Sequence, residues 1–146
     1  CWSRLRPKGR SLMITAIDHI VLSAKDLERT VWFYCEVLGM QLQEFVSADG
    51  GETRLALSFG TNKINLHDVN QPYQPHARTP VAGSLDICLL SDNPVDAWCK
   101  RVAEFGIEVE LGPTARTGAT GPLRSIYIRD PDGNLVEISN VLDAEG

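Results

Sequence analysis

The order of hydrophobic and polar positions predicts that the folded part of the chain begins with a strand and an amphipathic helix. Residues 14–22 are rich in β-branched and aliphatic side chains, which favour strands. Apolar positions then recur at helical spacing between Asp26 and Gly39. Asp is a favoured N-cap and Gly is favoured just past a helix C-terminus, so we predict a helix that has Asp26 as its N-cap and is ended by Gly39.

The same strand and helix recur later in the chain. Residues 84–90 predict a strand, and the helix after it is predicted to have Asn93 as N-cap, Pro94 at its first position and Gly106 at its end. An offset of 67 residues aligns the two units, in the pairs Ile20 and Ile87, Leu22 and Leu89, Asp26 and Asn93, Val31 and Trp98, Gly39 and Gly106, and Met40 and Ile107. Chance similarity would seldom align both caps and both glycines, so the sequence contains one unit twice.

Three further strands are predicted after each helix, which makes each half a βαβββ module. Turn residues such as those of Gly50-Gly51 and Pro131-Asp132-Gly133-Asn134 separate the strands. The predicted strands cover about 40–47, 53–60 and 63–69 in the first half, and about 107–111, 123–129 and 134–140 in the second. Residues 112–122 are rich in Gly, Thr and Pro and predict a loop, either a binding loop or a plain surface excursion.

These modules are expected to form a single α+β domain. One domain suits a chain of 146 residues, since single domains cluster at roughly 100–150 residues. The first module is predicted over 14–69 and the second over 84–140, joined by a linker over 70–83 that contains three prolines. We assign residues 14–146 to this domain and residues 1–13 to a flexible tail.

Composition and charge argue against a membrane or a nucleic acid as partner. The chain is 43% hydrophobic and 23% charged, and it has no apolar run near the roughly 20 residues that a membrane span needs. Four of its 14 basic residues precede Ser11, which leaves 10 against 19 acidic residues in the remainder, an unsuitable balance for binding nucleic acid. Cys35, Cys88 and Cys99 fall within predicted helices or strands, so we expect a cytoplasmic protein without disulfides.

Residues that can bind metal recur on one face of the predicted strands. Because side chains alternate between the faces of a strand, His19, Asp86 and Glu137 lie opposite the apolar face that the helices would cover. On the fourth strand, Asn65 and His67 share a face. Imidazoles and carboxylates form a ligand set suited to Zn, Ni, Co, Mn or Fe(II). Asp86 could equally be a structural acceptor of hydrogen bonds.

Two stretches of the sequence resemble a known family. The segment IDHIVLSAKDLERTVWFYCEVLGM resembles the opening strand and helix of vicinal-oxygen-chelate proteins, and IYIRDPDGNLVEIS resembles their closing hairpin, whose glutamate binds metal. The stretches KINLHDV, PVAGSLDICLL and GPTARTGATGP further resemble a subgroup of glyoxalase-domain-containing proteins and lactoylglutathione lyases. The resemblance covers nearly the whole chain from Ile14 to Asn140.

The resemblance implies which residues form a metal site. In such proteins two βαβββ modules make a cupped mixed sheet, and the ligands come from the first, fourth, fifth and eighth strands. Carried over by position, the ligands are His19, His67, Asp86 and Glu137, with Asn65 as the alternative to His67. Many family members have histidine where this chain has Asp86. The implied cofactor is a divalent metal, one of Zn, Ni, Co, Mn or Fe(II).

The resemblance also implies a reaction at a carbon next to a carbonyl. Two vicinal oxygens of a small-molecule substrate would chelate the metal, and Glu137 or Asp86 would move the proton in a glyoxalase-like lyase or isomerase reaction. A non-catalytic, bleomycin-resistance-like binding protein is the alternative that Asp86 favours, and extradiol-type ring cleavage is a further one. Since family members usually pair two chains, we expect a homodimer.

Overall fold

The computed structural model describes residues 13–143, so the expected tail over 1–13 lies outside the described residues except for Met13. The first module contains β1 His19–Ala24, α1 Leu27–Val31 with a π-helical continuation Trp32–Val37, β2 Gln41–Val46, β3 Thr53–Phe59 and β4 Asn62–Asp68. The second contains β5 Asp86–Leu90, α2 Val95–Glu104, β6 Leu111–Thr117, β7 Pro122–Arg129 and β8 Leu135–Val141. Both modules therefore have the predicted βαβββ order.

Each module forms one mixed four-stranded sheet, and the two sheets have the same topology. The strand order is β1-β4-β3-β2 in sheet 1 and β5-β8-β7-β6 in sheet 2. The pairs β1 with β4 and β5 with β8 are parallel, and the other neighbours are antiparallel. The parallel pair arises because a helix lies between its first strand and the following three strands. The predicted α+β class and its repeated module are confirmed.

Both helices are followed by a left-handed glycine, as the repeat predicted. Gly39 and Gly106 have φ values of 79° and 74°, a left-handed conformation that suits glycine just past a helix. The amide of Ile107 donates to the carbonyl of Val102, five residues back, whereas the amide of Met40 donates to that of Tyr34, six residues back. The wider π-helical turn before Gly39 accounts for this extra residue.

The start of α2 differs from the prediction. Asn93 is not the N-cap: Pro94 has φ −55° and ψ 139°, which is extended backbone, and the helix begins at Val95. The Val95 amide donates to Oδ1 of Asn140, at 2.9 Å, and the Asn140 amide donates in turn to the carbonyls of Ser91 and Asn93. A side chain from β8 thus caps α2, in place of the residue that precedes it.

The predicted loop over 112–122 is also corrected, because most of it is strand β6. Leu111–Thr117 pairs antiparallel with β7, with a bulge between Leu111 and Thr114. Pro113 is compatible with a strand here because β6 is at the edge of sheet 2, where an amide donor is dispensable. Only the turn that follows is loop, closed by a hydrogen bond from the Gly118 amide to the Gly121 carbonyl.

The hydrophobic core joins both modules into one cluster on the helix-facing side of the sheets. Its fully buried members come from the helices and from both sheets: Leu22, Phe33, Val37, Leu57, Ile64, Val95, Val102, Ile126, Ile128 and Val136. Phe33 belongs to this core, whereas Trp32 and Phe105 are 43% and 36% exposed and pack edge to face at the surface. Between Met13 and Asp143, no helix is long and apolar enough to cross a membrane.

Candidate functional site

The polar residues that the sequence singled out lie on the sides of the two sheets that face away from the core, which we call the open faces. In sheet 1 the register pairs His19 with Lys63, Val21 with Asn65, and Ser23 with His67. Paired residues of parallel strands point to the same side, so all six share the open face. The alternation that predicted this placement from the sequence is present in the structure.

The register separates His19 from His67 and brings Asn65 closer. His67 lies opposite Ser23, four residues along β1 from His19, which corresponds to about 13 Å along the strand. Two side chains that stand upright on a sheet cannot share an ion over that distance with bonds of roughly 2.0–2.2 Å. Asn65 lies one pleat from His19, at about 7 Å along the strand direction. The structure therefore groups His19 with Asn65, the alternative considered on this strand.

Sheet 2 repeats this arrangement with different residues. Asp86 pairs with Leu135 and Cys88 with Glu137, so Asp86 and Glu137 have the same diagonal relation as His19 and Asn65. Equivalent residues of β4 and β8 are 72 positions apart in the sequence (137 − 65), whereas equivalent residues of β1 and β5 are 67 positions apart (86 − 19). Comparing KINLHD with LVEISN in the sequence could have revealed this second offset. The repeat thus contains two equivalent pairs of candidate ligands.

His19 is accessible, and a hydrogen bond to Asp18 orients its ring. Its side chain is 44% exposed, and Nδ1 lies 2.7 Å from a carboxylate oxygen of Asp18. An Nδ1–H that donates to this carboxylate leaves Nε2 with a free lone pair, as in the carboxylate–histidine pairs that support many metal ligands. Asp18 is a residue that the sequence reasoning missed, although its position directly before the histidine was visible.

Asn65 presents an oxygen that lacks a partner. Its Oδ1 atom is buried and accepts no hydrogen bond within the described residues 13–143. A buried acceptor without a partner costs free energy, of the order of 1–3 kcal/mol, unless a bound group satisfies it. The side-chain carbonyl of asparagine is an oxygen donor that hard divalent cations accept. This atom is therefore suited to a bound ion or to a substrate donor.

Glu137 lies in a network of hydroxyl groups on the open face of sheet 2. Ser139 Oγ donates to its carboxylate at 3.1 Å, and Ser139 also lies 2.6 Å from Ser125 Oγ. Burial raises the pKa of Glu137, but hydrogen bonds from Ser125, Tyr127, Ser139 and Cys88 outweigh burial and hold the pKa below its usual value. Glu137 is therefore ionised at neutral pH, and its carboxylate is oriented by several donors.

A cation extends this network to the edge strand. The Arg116 Nε–H donates to the Tyr127 hydroxyl at 2.7 Å, and that hydroxyl interacts with Glu137. Arg116 lies in β6, within the segment that the sequence predicted to be a loop. Sequence reasoning missed Tyr127, Ser125 and Arg116 because their role depends on the pairing of β6, β7 and β8, which it had not assigned.

Asp86 is exposed and free of structural hydrogen bonds. Among residues 13–143, no side chain or amide donates to its carboxylate within hydrogen-bond distance. Arg129, the neighbouring cation on β7, instead pairs with Glu110 at 3.0 Å. The geometry gives no support to a structural role for Asp86, and its carboxylate is available to a ligand.

The four positions fit a divalent ion by their chemistry but are not assembled in one chain. An imidazole, an amide oxygen and two carboxylates form a donor set that Mn, Zn, Co, Ni or Fe(II) can use. Within the described part of the chain, however, no three His, Cys, Asp or Glu side chains come close enough to hold one ion. Each chain offers two half-sites, His19 with Asn65 on sheet 1 and Asp86 with Glu137 on sheet 2.

The family to which the chain belongs follows from comparison with known proteins. Residues 16–138 match the family described as the Glyoxalase/Bleomycin resistance protein/Dioxygenase superfamily. The chain belongs to this superfamily. Among its superfamily relatives, virulence protein STM3117 of Salmonella typhimurium is 44% identical over 128 residues, which make up 88% of this chain and 85% of that protein. Glyoxalase domain-containing protein RDO1 of Mycosarcoma maydis is 42% identical over 136 residues, 93% of this chain and 74% of that protein.

A solved structure of the same superfamily fold supports the architecture. The integron cassette protein VCH_CASS1 from the mobile metagenome of V. cholerae superimposes with a TM-score of 0.82 at 40% identity. The superposition covers 90% of this chain and 98% of that one. The resemblance seen in the opening helix and the closing hairpin is thereby confirmed at the level of the superfamily and of its fold.

Proposed function

We propose that this superfamily member is a metal-dependent enzyme that acts on a small molecule at a carbon next to a carbonyl. The observation that supports the proposal most is the pair of equivalent half-sites, His19 with Asn65 and Asp86 with Glu137. Each half-site has two donors on an open face, at a spacing that lets both reach one ion. A divalent ion, when bound, supplies Lewis acidity to two vicinal substrate oxygens.

The residues of the second half-site differ in what they can do. Glu137 accepts several hydrogen bonds that keep its pKa low, so it is a weak base and a good holder of positive charge. Asp86 accepts no hydrogen bond among residues 13–143, so no contact within the protein has to break for its carboxylate to take a proton from a substrate carbon. We therefore assign Glu137 to hold the ion throughout, and Asp86 to serve as a weaker donor to the ion that also moves the proton.

We further propose that two copies of the chain combine their half-sites in a homodimer. The open faces that carry the candidate ligands also carry exposed apolar side chains, namely Val21 at 45% exposure, Leu90 at 65%, Leu111 at 49% and Val141 at 50%. Apolar positions in a binding face indicate that another surface covers them. Pairing sheet 1 of one copy with sheet 2 of another would cover these residues and bring two donors to each side of one ion.

A complementation experiment tests both the metal and its sharing between copies. We expect protein purified without a histidine tag to bind Mn²⁺, as measured by electron paramagnetic resonance. The H19A and E137A variants should each lose this binding. If H19A and E137A chains are unfolded together and refolded, half of the randomly paired dimers should contain one chain of each kind. Each mixed dimer has one intact site out of two, so roughly a quarter of the wild-type Mn²⁺ sites should be restored.

The matched control mixes two variants from the same half-site. H19A refolded with N65A should restore nothing, because every dimer then lacks a ligand at each site. Wild-type protein that binds no Mn²⁺, Zn²⁺, Co²⁺, Ni²⁺ or Fe²⁺ would contradict the metal-dependent function. Metal binding by the wild type without recovery in the first mixture would place the site within one chain and contradict the shared dimer.

A non-catalytic binding protein is the second candidate. A cleft of about 590 Å³ runs beside β1 and is lined mainly by apolar side chains, among them Val21, Pro80, Val81 and Leu85. Such a cleft can hold a small molecule without an ion. Ring cleavage of the extradiol type has less support, because its iron is held by two histidines and one carboxylate, whereas the four positions include one histidine. Ligand binding that is unchanged by metal would favour the binding protein.

A further inference from the structure

A second polar cluster lies on the open face of sheet 1, one pleat beyond Asn65. His67 follows Asn65 on the same face of β4. On the antiparallel neighbour β3, Leu55 pairs with Leu66, so Arg54, the residue before Leu55, lies opposite His67. Tyr73, from the segment between the modules, covers both. Its ring is 5.3 Å from the His67 ring in an edge arrangement, and the Arg54 guanidinium carbon is 4.0 Å from its centroid.

Two nitrogen atoms of this cluster lack hydrogen-bond partners although they are buried. The Arg54 Nε and His67 Nδ1 atoms make no hydrogen bond within residues 13–143, and His67 is only 6% exposed. Tyr73 does not satisfy them, because it contacts the two groups through its ring, and its hydroxyl instead lies against the Thr53 carbonyl at 3.3 Å. No carboxylate in the described part of the chain pairs with Arg54.

The contact with Tyr73 does not explain this arrangement by itself. A guanidinium stacked on an aromatic ring gains from the ring face, but its N–H groups point outward in the guanidinium plane and still need acceptors. The stacking instead fixes that plane, which prepares a planar fork of donors for an oxyanion. A neutral His67 with its proton on Nδ1 adds a second donor beside Arg54.

We infer that Arg54 and His67 bind an oxyanion group of the substrate, a carboxylate or a phosphonate, while Asn65 lies at the end where the vicinal oxygens bind. The part of the inference that concerns the vicinal oxygens at Asn65 rests on the proposed function. Asn65 and His67 are two residues apart on one strand, so the two ends are separated by about 7 Å. The substrate class is then a small acid whose vicinal oxygens and anionic group are a few bonds apart.

His67 borders a cleft that has room for such a molecule. The cleft, of about 590 Å³ beside β1, is lined by His67 together with Ser23 and His76, whereas Arg54 and Asn65 are not among the described residues that line it. The described residues that line this cleft include no Asp or Glu, although the chain has 19 acidic residues and a net charge of −5. The cleft therefore avoids the repulsion that an anion would meet over most of this protein.

Binding of a matched pair of ligands tests the inference. The probes are 2-oxoglutarate, which has vicinal oxygens at one end and a carboxylate at the other, and 2-oxopentanoate, which has a methyl group in place of that carboxylate. A third probe, 2-oxo-4-phosphonobutanoate, replaces the carboxylate by a phosphonate. By calorimetry in about 0.15 M salt, where exposed charges are screened beyond roughly 8 Å, we expect either dianion to bind roughly 10- to 100-fold more tightly than 2-oxopentanoate.

Variants assign this preference to the cluster. R54Q should remove it, and H67N should retain part of it because the asparagine amide can donate near the position of Nδ1. K63Q is the control, since Lys63 is a cation on the same strand face whose Nζ lies 3.9 Å from the Phe45 ring centroid. Equal affinity of the three probes, or an equal loss in R54Q and K63Q, would overturn the inference. The unfolding midpoint of each variant is measured alongside.

The design separates this inference from the proposed metal site. Each titration is run with and without Mn²⁺, and Mn²⁺ binding is measured independently. A preference for the dianions that disappears in R54Q, seen without any Mn²⁺ binding, would support the anion site and contradict the metal-dependent function. Mn²⁺ binding that needs His19, without any preference between the probes, would contradict the anion site alone.

Discussion

At the scale of single residues, the two half-sites share geometry but differ in chemistry. The structural repeat makes His19 equivalent to Asp86, and Asn65 equivalent to Glu137. One pair offers neutral donors and the other offers carboxylates. This difference predicts how the site should respond when its least typical residue, Asp86, is changed.

The D86H substitution should change metal preference while leaving stability nearly unaffected. Imidazole suits Zn, Ni and Co better than a carboxylate does, so competition between Zn²⁺ and Mn²⁺ should shift toward Zn²⁺, as measured by mass spectrometry of the bound metals. Because Asp86 accepts no hydrogen bond among residues 13–143, the free energy of unfolding should change by less than about 0.5 kcal/mol. D92H, at the exposed turn after β5, is the control and should leave the preference unchanged.

A different pair of results would show that Asp86 is structural. In that case D86H would lower the unfolding midpoint in urea, and the ratio of bound Zn²⁺ to Mn²⁺ would remain that of the wild type. Denaturation and metal competition on the same samples distinguish these outcomes.

At the scale of secondary-structure elements, contacts between strands and helices determine where elements begin. The clearest case is Asn140, which follows Ser139 on β8 and holds the first turn of α2. Its amide group bonds three backbone groups, the Val95 amide and the carbonyls of Ser91 and Asn93. A cap supplied by a distant strand connects the stability of the helix to that of the sheet.

Replacing this cap should destabilise the domain. N140A removes the acceptor for the Val95 amide, and loss of a cap of this type costs about 1–2 kcal/mol. Urea denaturation followed by far-ultraviolet circular dichroism measures the change. N62A, at an exposed position at the start of β4, should change stability by less than about 0.5 kcal/mol. Equal stability of N140A and wild type would show that water satisfies the Val95 amide equally well.

These elements also show which parts of the fold could be predicted from the sequence. Local signals were sufficient where the cause is local: the Asp26 cap accepts from the Arg29 amide, and Gly39 and Gly106 end their helices. They failed for β6, whose Gly and Pro residues are typical of a loop and which becomes a strand by pairing with β7. They also failed for the cap from Asn140, which is 45 residues away from Val95.

The same distinction between local signals and long-range pairing applies to the candidate site. Alternation along the strands placed the site residues on the correct faces, because side-chain direction in a strand is a local property. The choice between Asn65 and His67 depended on the register of β4 against β1, which the sequence does not specify locally. The network of Ser125, Tyr127 and Ser139 around Glu137 needed the pairing of β7 with β8.

At the scale of the whole molecule, a buried hydrogen bond connects the two modules. The Tyr34 hydroxyl, in the first module, donates to Asp130 at 2.9 Å, in the turn before β8. The Asn134 side-chain amide donates to the same carboxylate oxygen at 2.7 Å. Asp130 also closes the turn before β8, where its carbonyl accepts from the Gly133 amide, so this residue both forms the turn and joins the modules.

This contact predicts a loss of stability at alkaline pH that depends on Tyr34. Burial, and next the charge of Asp130, hold the pKa of the Tyr34 phenol far above its ordinary value. A group whose pKa is raised by folding stabilises the protein below its unfolded pKa of about 10, and that stability is lost as the pH rises above it. The urea midpoint of the wild type should therefore fall above pH about 10.

The Y34F variant separates this effect from general alkaline unfolding. It should be less stable at neutral pH by about 1–2 kcal/mol, because Asp130 loses a donor, and its further decline above pH 10 should be shallower than that of the wild type. Y73F, which lacks a hydroxyl outside the core, should keep the wild-type slope. Parallel slopes for Y34F and wild type would contradict the role given to Tyr34.

The unequal charge of the two half-sites has a consequence for the direction of the electric field in an assembled site. His19 and Asn65 contribute no formal charge when the imidazole is neutral, whereas Asp86 and Glu137 contribute two negative charges from the opposite wall. In the proposed dimer, the carboxylates of Asp86 and Glu137 alone would neutralise a divalent ion bound between the two half-sites. An anionic substrate would then be repelled from the side that carries these carboxylates. Its approach is then favoured along sheet 1, the sheet that also carries Arg54. If the proposed dimer assembles, one wall of its cavity would therefore carry the negative charge that neutralises the ion, and the other would be open to the substrate.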